Sequence, residues 1–151
     1  METAFDEFVI SDDKTLLQPD RICELLSTTY WANGRSRAVI ERSIQNSLCV
    51  GVYLYGEQIA FARCVTDYAT IFWLADVIVD ERFRGRGVGK AMVEAILSHE
   101  RLAGLNGILA TRDAHGLFAR YGFAQADPTR YMKRQAETLL QTPAEPCKKP
   151  D

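Results

Sequence analysis

Three glycines alternate with basic residues in the run Arg84-Gly85-Arg86-Gly87-Val88-Gly89-Lys90. Glycine lets a backbone turn bring its N–H groups close to an anion, and a helix starting there adds its positive dipole end. The chemistry such a turn suits is phosphate binding, and spacing narrows the kind of phosphate. A Walker loop ending on Gly89-Lys90 needs glycine at 84 and serine or threonine at 91, where the chain has Arg84 and Ala91. A dinucleotide fingerprint beginning at Gly85 and Gly87 needs a third glycine at 90, which is Lys90. Neither nucleotide loop fits. The alternative is a strand-to-helix turn whose glycines serve tight packing only. That reading crowds Arg84, Arg86 and Lys90 onto a helix N-terminus, where cations are unfavourable unless an anion sits among them.

The elements around the turn must position it. Residues 70–80 form an apolar strand interrupted by one carboxylate, Asp76. Helix 87–100 carries Val88, Ala91, Met92, Ala95, Ile96 and His99 along one stripe. Gly107 to Thr111 reads as a buried strand, and Asp113 as the N-cap of a short helix bearing Leu117, Phe118 and Tyr121, stopped by Gly122. Upstream, Phe8 to Ile10 is a short first strand. Pro19 opens one helix and Ser36 a second. Leu48 to Leu54 and Gln58 to Val65 form a hairpin, and a last strand is expected near Arg130 to Lys133. The order predicts an α+β fold in three α/β/α layers: a mixed, mostly antiparallel sheet of six to seven strands with about four helices. Residues 1–135 form a single domain, and 136–151, with three prolines in its last ten residues, a partly disordered tail.

Composition removes several function classes. A 151-residue chain that is 47% hydrophobic and 25% charged buries a core without staples. A net charge of −2 gives no global field for nucleic acid or an acidic membrane, so the basic cluster at the turn points to a small anionic ligand. Four cysteines and two histidines show no metal-ligand spacing, so no metal site is expected. Cys23, Cys49 and Cys64 read as buried small hydrophobes. With no signal segment and no apolar run of membrane-spanning length, a soluble cytoplasmic protein with reduced thiols is expected.

Arg84, Gly87 and Gly89 also fill the pattern Arg/Gln-x-x-Gly-x-Gly/Ala. With Asp76 to Asp80 before them and Tyr121-Gly122-Phe123 after, residues 70–125 resemble the GNAT superfamily of acyl-CoA N-acyltransferases. The resemblance implies acetyl-CoA as cofactor, lying in a splay between the strand before the coenzyme-binding helix and the strand after it. The backbone of Val77, Ile78 and Val79 would then hold the pantetheine arm. The amides of Arg84, Gly85, Arg86, Gly87, Val88 and Gly89 would hold the pyrophosphate, with Lys90 adding charge. Thr111 and Phe118 would stand beside the cofactor. The implied reaction is direct acetyl transfer to a small-molecule primary amine. Alternatives are a protein lysine or N-terminal acetyltransferase, or a non-catalytic coenzyme A-binding module.

Asp76 is the candidate base, with a structural carboxylate as its other reading. The position often filled in the family by an acid tyrosine is Phe118, which cannot donate a proton. Tyr121 and His115 are the remaining proton carriers, Tyr121 reading more simply as core. Trp31 and Arg35 lie where acceptor specificity usually arises, Trp31 as a pocket wall and Arg35 as a holder of a substrate carboxylate. A homodimer is a further expectation from relatives.

Overall fold

Alternating and helically spaced apolar residues divide the described residues between one sheet and four α-helices. The computed structural model describes residues 1–134, so the tail expected at 136–151 lies outside the described residues. The strands are β1 (Glu2–Phe5), β2 (Phe8–Ser11), β3 (Leu48–Leu54), β4 (Glu57–Thr66), β5 (Ile71–Val79) and β6 (Asn106–Leu109). They lie side by side in chain order, antiparallel at every junction except the parallel pair β5–β6. Helices α1 (Pro19–Ser27) and α2 (Arg37–Gln45) join β2 to β3, α3 (Val88–Leu97) is the crossover from β5 to β6, and α4 (His115–Ala119) follows β6. Pro19 stands in the first turn of α1, and the Ser36 side chain caps α2 by accepting from the Val39 N–H.

The helices sandwich the sheet. On one face Val88, Met92 and Ile96 of α3 pack with Phe8, Val50, Ala62 and Leu74. On the other, Ile22 and Leu26 of α1 and Ile40 of α2 pack with Cys49, Phe61 and Ile78. Each fully buried aliphatic or aromatic side chain contributes about 1.5–3 kcal/mol, so both helical layers are needed to hold the sheet.

One irregularity in β5 decides what faces what. Opposite β4, Phe61 pairs with Ile78 but Arg63 pairs with Ala75, so Asp76 and Val77 together oppose Ala62. This is a bulge, and Asp76 sits in it with φ of +54°. An inserted residue reverses the alternation. Phe72 and Leu74 face α3 before it, Val77 and Val79 pack on that same cluster after it, and Ile78 faces α1 and α2. The bulge therefore turns Asp76 to the α1–α2 side, where Arg63 of β4 also points.

Several expected boundaries move. The strand at Phe8 is the second, because β1 precedes it; three of its four residues are exposed, so no apolar alternation marks it. Helix α3 ends at Leu97, and His99 lies beyond it, its Nδ1 accepting from the Arg101 N–H at 3.1 Å and its Nε2 meeting Asp12 Oδ2 at 2.8 Å. Ala114, not Asp113, is the N-cap residue of α4; the Thr111 hydroxyl accepts from the Ala114 N–H at 3.0 Å. No strand forms at Arg130 to Lys133. Asp127 accepts from the Thr129 N–H at 2.9 Å and Pro128 fixes the backbone, which closes a 3-10 turn there. Cys49 and Cys64 are free and buried, whereas Cys23 is disulfide-bonded, against the expectation of a reduced thiol. Among the described residues no helix is long and apolar enough to cross a membrane.

Candidate active site

Strands β5 and β6 pair from Ile71–Asn106 to Leu74–Leu109 and then part. A cavity of about 1070 Å³ fills the opening. Residues 73–79 form one wall and 109–114 the other, while Thr28 to Trp31 and Arg35 close it from the α1–α2 connection. Since β4 occupies the other edge of β5, the backbone of Ala75 to Val79 has no strand partner on the cavity side among the described residues, the Val79 carbonyl accepting instead from Arg84 Nε at 3.2 Å. Unpaired backbone groups in a cleft are a template for an extended, amide-bearing ligand.

The glycine turn lies at the Val79 end. Gly85 and Gly87 have φ of +78° and +80°, conformations that glycine adopts without strain. A Cβ on Gly87 would also stand 3.2 Å from the Phe5 ring. Gly87 is the N-cap of α3, no side chain among the described residues caps that end and no acidic residue occupies its first turn. The N–H groups of Val88, Gly89 and Lys90 thus have no intrahelical acceptor and sit at the positive end of the dipole. This uncapped end, with the free edge of β5 leading away from it, fits a pyrophosphate carrying a pantetheine arm. Arg84 and Gly89 line the cavity itself; Gly85, Arg86, Gly87, Val88 and Lys90 are not among its lining residues. Arg86 is committed elsewhere. Its guanidinium bonds Glu7 and lies 4.9 Å from the Phe8 ring centroid, pinning the β1–β2 turn to the loop.

Near the middle of β5, Asp76 gathers three donors. Its Oδ2 accepts from Arg63 Nε at 2.5 Å and Arg35 Nη1 at 2.7 Å, and its Oδ1 from Trp31 Nε1 at 3.2 Å. The Asp76 side chain is 1% exposed, against 13% for Arg63 and 28% for Arg35. Burial pushes the Asp76 carboxyl up, but the hydrogen bond and charge of Arg63, joined by those of Arg35, outweigh it and hold the group below the usual carboxylate range. A carboxylate so engaged orients its neighbours and is a weak proton acceptor. Beside it, the Tyr30 ring meets Trp31 edge-on at 4.9 Å, and the Arg112 guanidinium lies 3.9 Å over the Tyr30 ring.

The residues singled out in the sequence fall into two groups. Asp76, Val77, Ile78, Val79, Arg84, Gly89, Thr111, Phe118, Trp31 and Arg35 all line the cavity. Tyr121 and His115 do not. The Tyr121 hydroxyl points to α3, meeting the Lys90 carbonyl at 3.4 Å and Glu94 at 3.2 Å, and His115 is exposed. Arg35 holds a carboxylate, but that carboxylate is Asp76. Phe118 is buried, edge-on to Phe123 at 6.0 Å. Arg63, Trp73 and Arg112 were missed. Arg63 had a readable signal: it is the lone charge in the apolar run from Gln58 to Val65, which pairs with the strand holding the lone carboxylate. Arg112 had none, because its meaning depends on the Tyr30 ring across the cavity.

A splayed sheet, an uncapped glycine turn and a loop closing the opening are the features expected of an acetyltransferase. Residues 18–123 match the model of the Acetyltransferase (GNAT) family, and the chain belongs to that family. A Xanthomonas campestris pv. campestris crystal structure, assigned as a GNAT-family acetyltransferase, is 42% identical with a TM-score of 0.85, covering 92% of this chain and all of that one. Glucosamine-6-phosphate N-acetyltransferase from Arabidopsis thaliana shares the fold at 18% identity and a TM-score of 0.63, over 86% of this chain and 99% of that one. The ribosomal-protein-S18-alanine N-acetyltransferase of Escherichia coli does so at 20% and 0.65, over 80% and 79%. A Gibberella zeae protein, assigned as an acetyltransferase, is 27% identical over 110 residues, 60% of this chain; the match spans 62% of that relative's length.

Proposed function

We propose that this chain transfers an acetyl group from acetyl-CoA to the primary amine of a small molecule. The observation that carries the reading is the cavity itself, which runs from the uncapped α3 terminus along the unpaired edge of β5 to the Trp31–Asp76–Arg35 cluster. The donor's pyrophosphate is held at Gly87 to Lys90, its arm runs beside Val77 to Val79, and the acceptor approaches from the α1–α2 side. Its thioester supplies an activated acyl carbon. The acceptor nitrogen bonds to that carbon as the carbon–sulfur bond breaks; the electron pair leaves on sulfur and the surplus nitrogen proton passes to water. Placing the reactants within contact supplies much of the rate, and β5 backbone donors stabilise the developing oxyanion.

Asp76 acts here as a positioning residue. It fixes Arg63, Arg35 and Trp31, and its lowered basicity fits that task better than proton abstraction. The acceptor class follows from charge. Arg35, Arg63, Arg84, Arg112 and Lys133 line the cavity against Asp76 and Asp113. Such an excess of cations repels a basic peptide, which disfavours a lysine-rich protein acceptor. The two functionally named neighbours, one acting on a sugar phosphate and one on a ribosomal protein, share only the fold and do not choose between acceptors. Thiol release from acetyl-CoA with small amines, and none with lysine or N-terminal peptides, is the expected outcome. Release with peptides alone would overturn the small-molecule reading, and binding of acetyl-CoA without release would point to a non-catalytic module.

A further inference from the structure

We propose that the acceptor amine carries a carboxylate or phosphate, and that Arg112 receives this anionic group at the mouth of the acceptor side. The proposal deepens the small-molecule acetyltransferase reading and rests on it.

Two observations carry it. First, the charge beside the reacting centre does not balance. Two guanidiniums, Arg63 and Arg35, share the single oxygen Oδ2 of Asp76, which leaves one net positive charge in a largely buried cluster. A protonated amine alone is repelled there, while an anionic group on the same molecule offsets the repulsion. The same field favours the neutral, nucleophilic form of the amine once it is bound.

Second, Arg112 is held in place but not neutralised. Its guanidinium carbon lies over the Tyr30 ring, 3.9 Å from the centroid, and among the described residues no carboxylate pairs with it. A cation–π contact uses no N–H donor in a hydrogen bond, so the fork is left for a bidentate oxygen pair, the geometry of a carboxylate or phosphate. Contacts then run without a break from Arg112 to Tyr30, from Tyr30 to Trp31 at 4.9 Å, and from Trp31 to Asp76 at 3.2 Å. This places the fork on the acceptor side. Arg84, the basic residue of the glycine turn that lines the cavity, instead donates to the Val79 carbonyl at 3.2 Å, three residues further along β5.

The test is steady-state kinetics on matched acceptors: an amino acid against its carboxamide, and a phosphorylated amino alcohol against the unphosphorylated one. The anionic member of at least one pair should have a kcat/KM about tenfold or more higher, and the favoured pair distinguishes carboxylate from phosphate. Arg112→Gln should lower kcat/KM for that member about tenfold more than for its neutral partner, mainly through KM, with acetyl-CoA affinity and melting temperature retained. Arg112→Lys should recover only part of the preference, because the fork is lost. Equal or better use of the neutral members would overturn the proposal while leaving acetyl transfer intact. Weakened acetyl-CoA binding in Arg112→Gln would also overturn it, assigning the fork to the donor. Absence of thiol release with every amine would remove the transferase reading and this proposal together.

Discussion

Asp76 joins three elements through one carboxylate: Arg63 on β4 and, from the loop between α1 and α2, Trp31 and Arg35. Its left-handed backbone is tolerated by aspartate and asparagine, so Asp76→Asn removes the charge while keeping the turn. Two partly buried guanidiniums would then lack their counter-ion, and a loss of about 3–5 kcal/mol is expected in urea denaturation. The pH dependence has a definite sign. Folding holds this carboxyl below its unfolded value of about 3.9, so its contribution is complete above that pH and is lost as pH falls through the folded value. Below about pH 4 the wild type should therefore lose stability more steeply than Asp76→Asn. Phe118 makes the second residue-scale case. Its ring lines the cavity but has no proton to give, and a departing thiolate of pKa about 8.5 benefits from one. Phe118→Tyr should raise kcat; an unchanged kcat with acetyl-CoA still bound would show that protonation does not limit turnover. At this scale the cavity wall was legible, since Asp76, Trp31, Arg35 and Phe118 stood out as types in context. Which partners they chose was not, because Arg35 meets Asp76 across 41 positions of sequence.

The glycine turn and the β5 bulge divide the work of positioning. The three glycines differ in what they tolerate. Gly87 combines φ of +80° with a Cβ position 3.2 Å from the Phe5 ring, whereas Gly89 is not in the left-handed region and its Cβ would meet Val79 at 3.4 Å, an ordinary contact. Gly87→Ala should lower stability by about 1–2 kcal/mol in thermal melts and weaken acetyl-CoA binding, with Gly89→Ala much milder in stability. The turn was readable because glycine spacing is local. The bulge was not. It is defined by the register of β5 against β4, so strict alternation left the face met by Asp76 undecided. The same limit explains the two misplaced strands. β1 has no apolar stripe to announce it, and the segment near Arg130 reads as strand only until Pro128 and Asp127 close a turn ahead of it.

At the scale of the molecule, the proposed reaction draws its two substrates to different layers. In that reading helix α3 offers its uncapped end to the donor, and the α1–α2 layer supplies the loop that faces the acceptor. The layer order was legible in the sequence of apolar periodicities; the cationic excess of the cavity was not, because Arg63, Arg112 and Lys133 come from separate elements. If the donor site is preformed, a donor concentration near one hundred times Kd should stabilise the fold by about 2.7 kcal/mol. An upward shift in melting temperature with acetyl-CoA, reduced in Gly87→Ala, is the expected readout. Direct transfer is tested most simply by mixing the protein with acetyl-CoA, with and without an anionic small amine, and following free thiol and intact protein mass together. The account predicts thiol release only when the amine is present, one acetylated amine per thiol, and a protein mass that never gains an acetyl group. Amine-independent release with a transiently acetylated protein would contradict it.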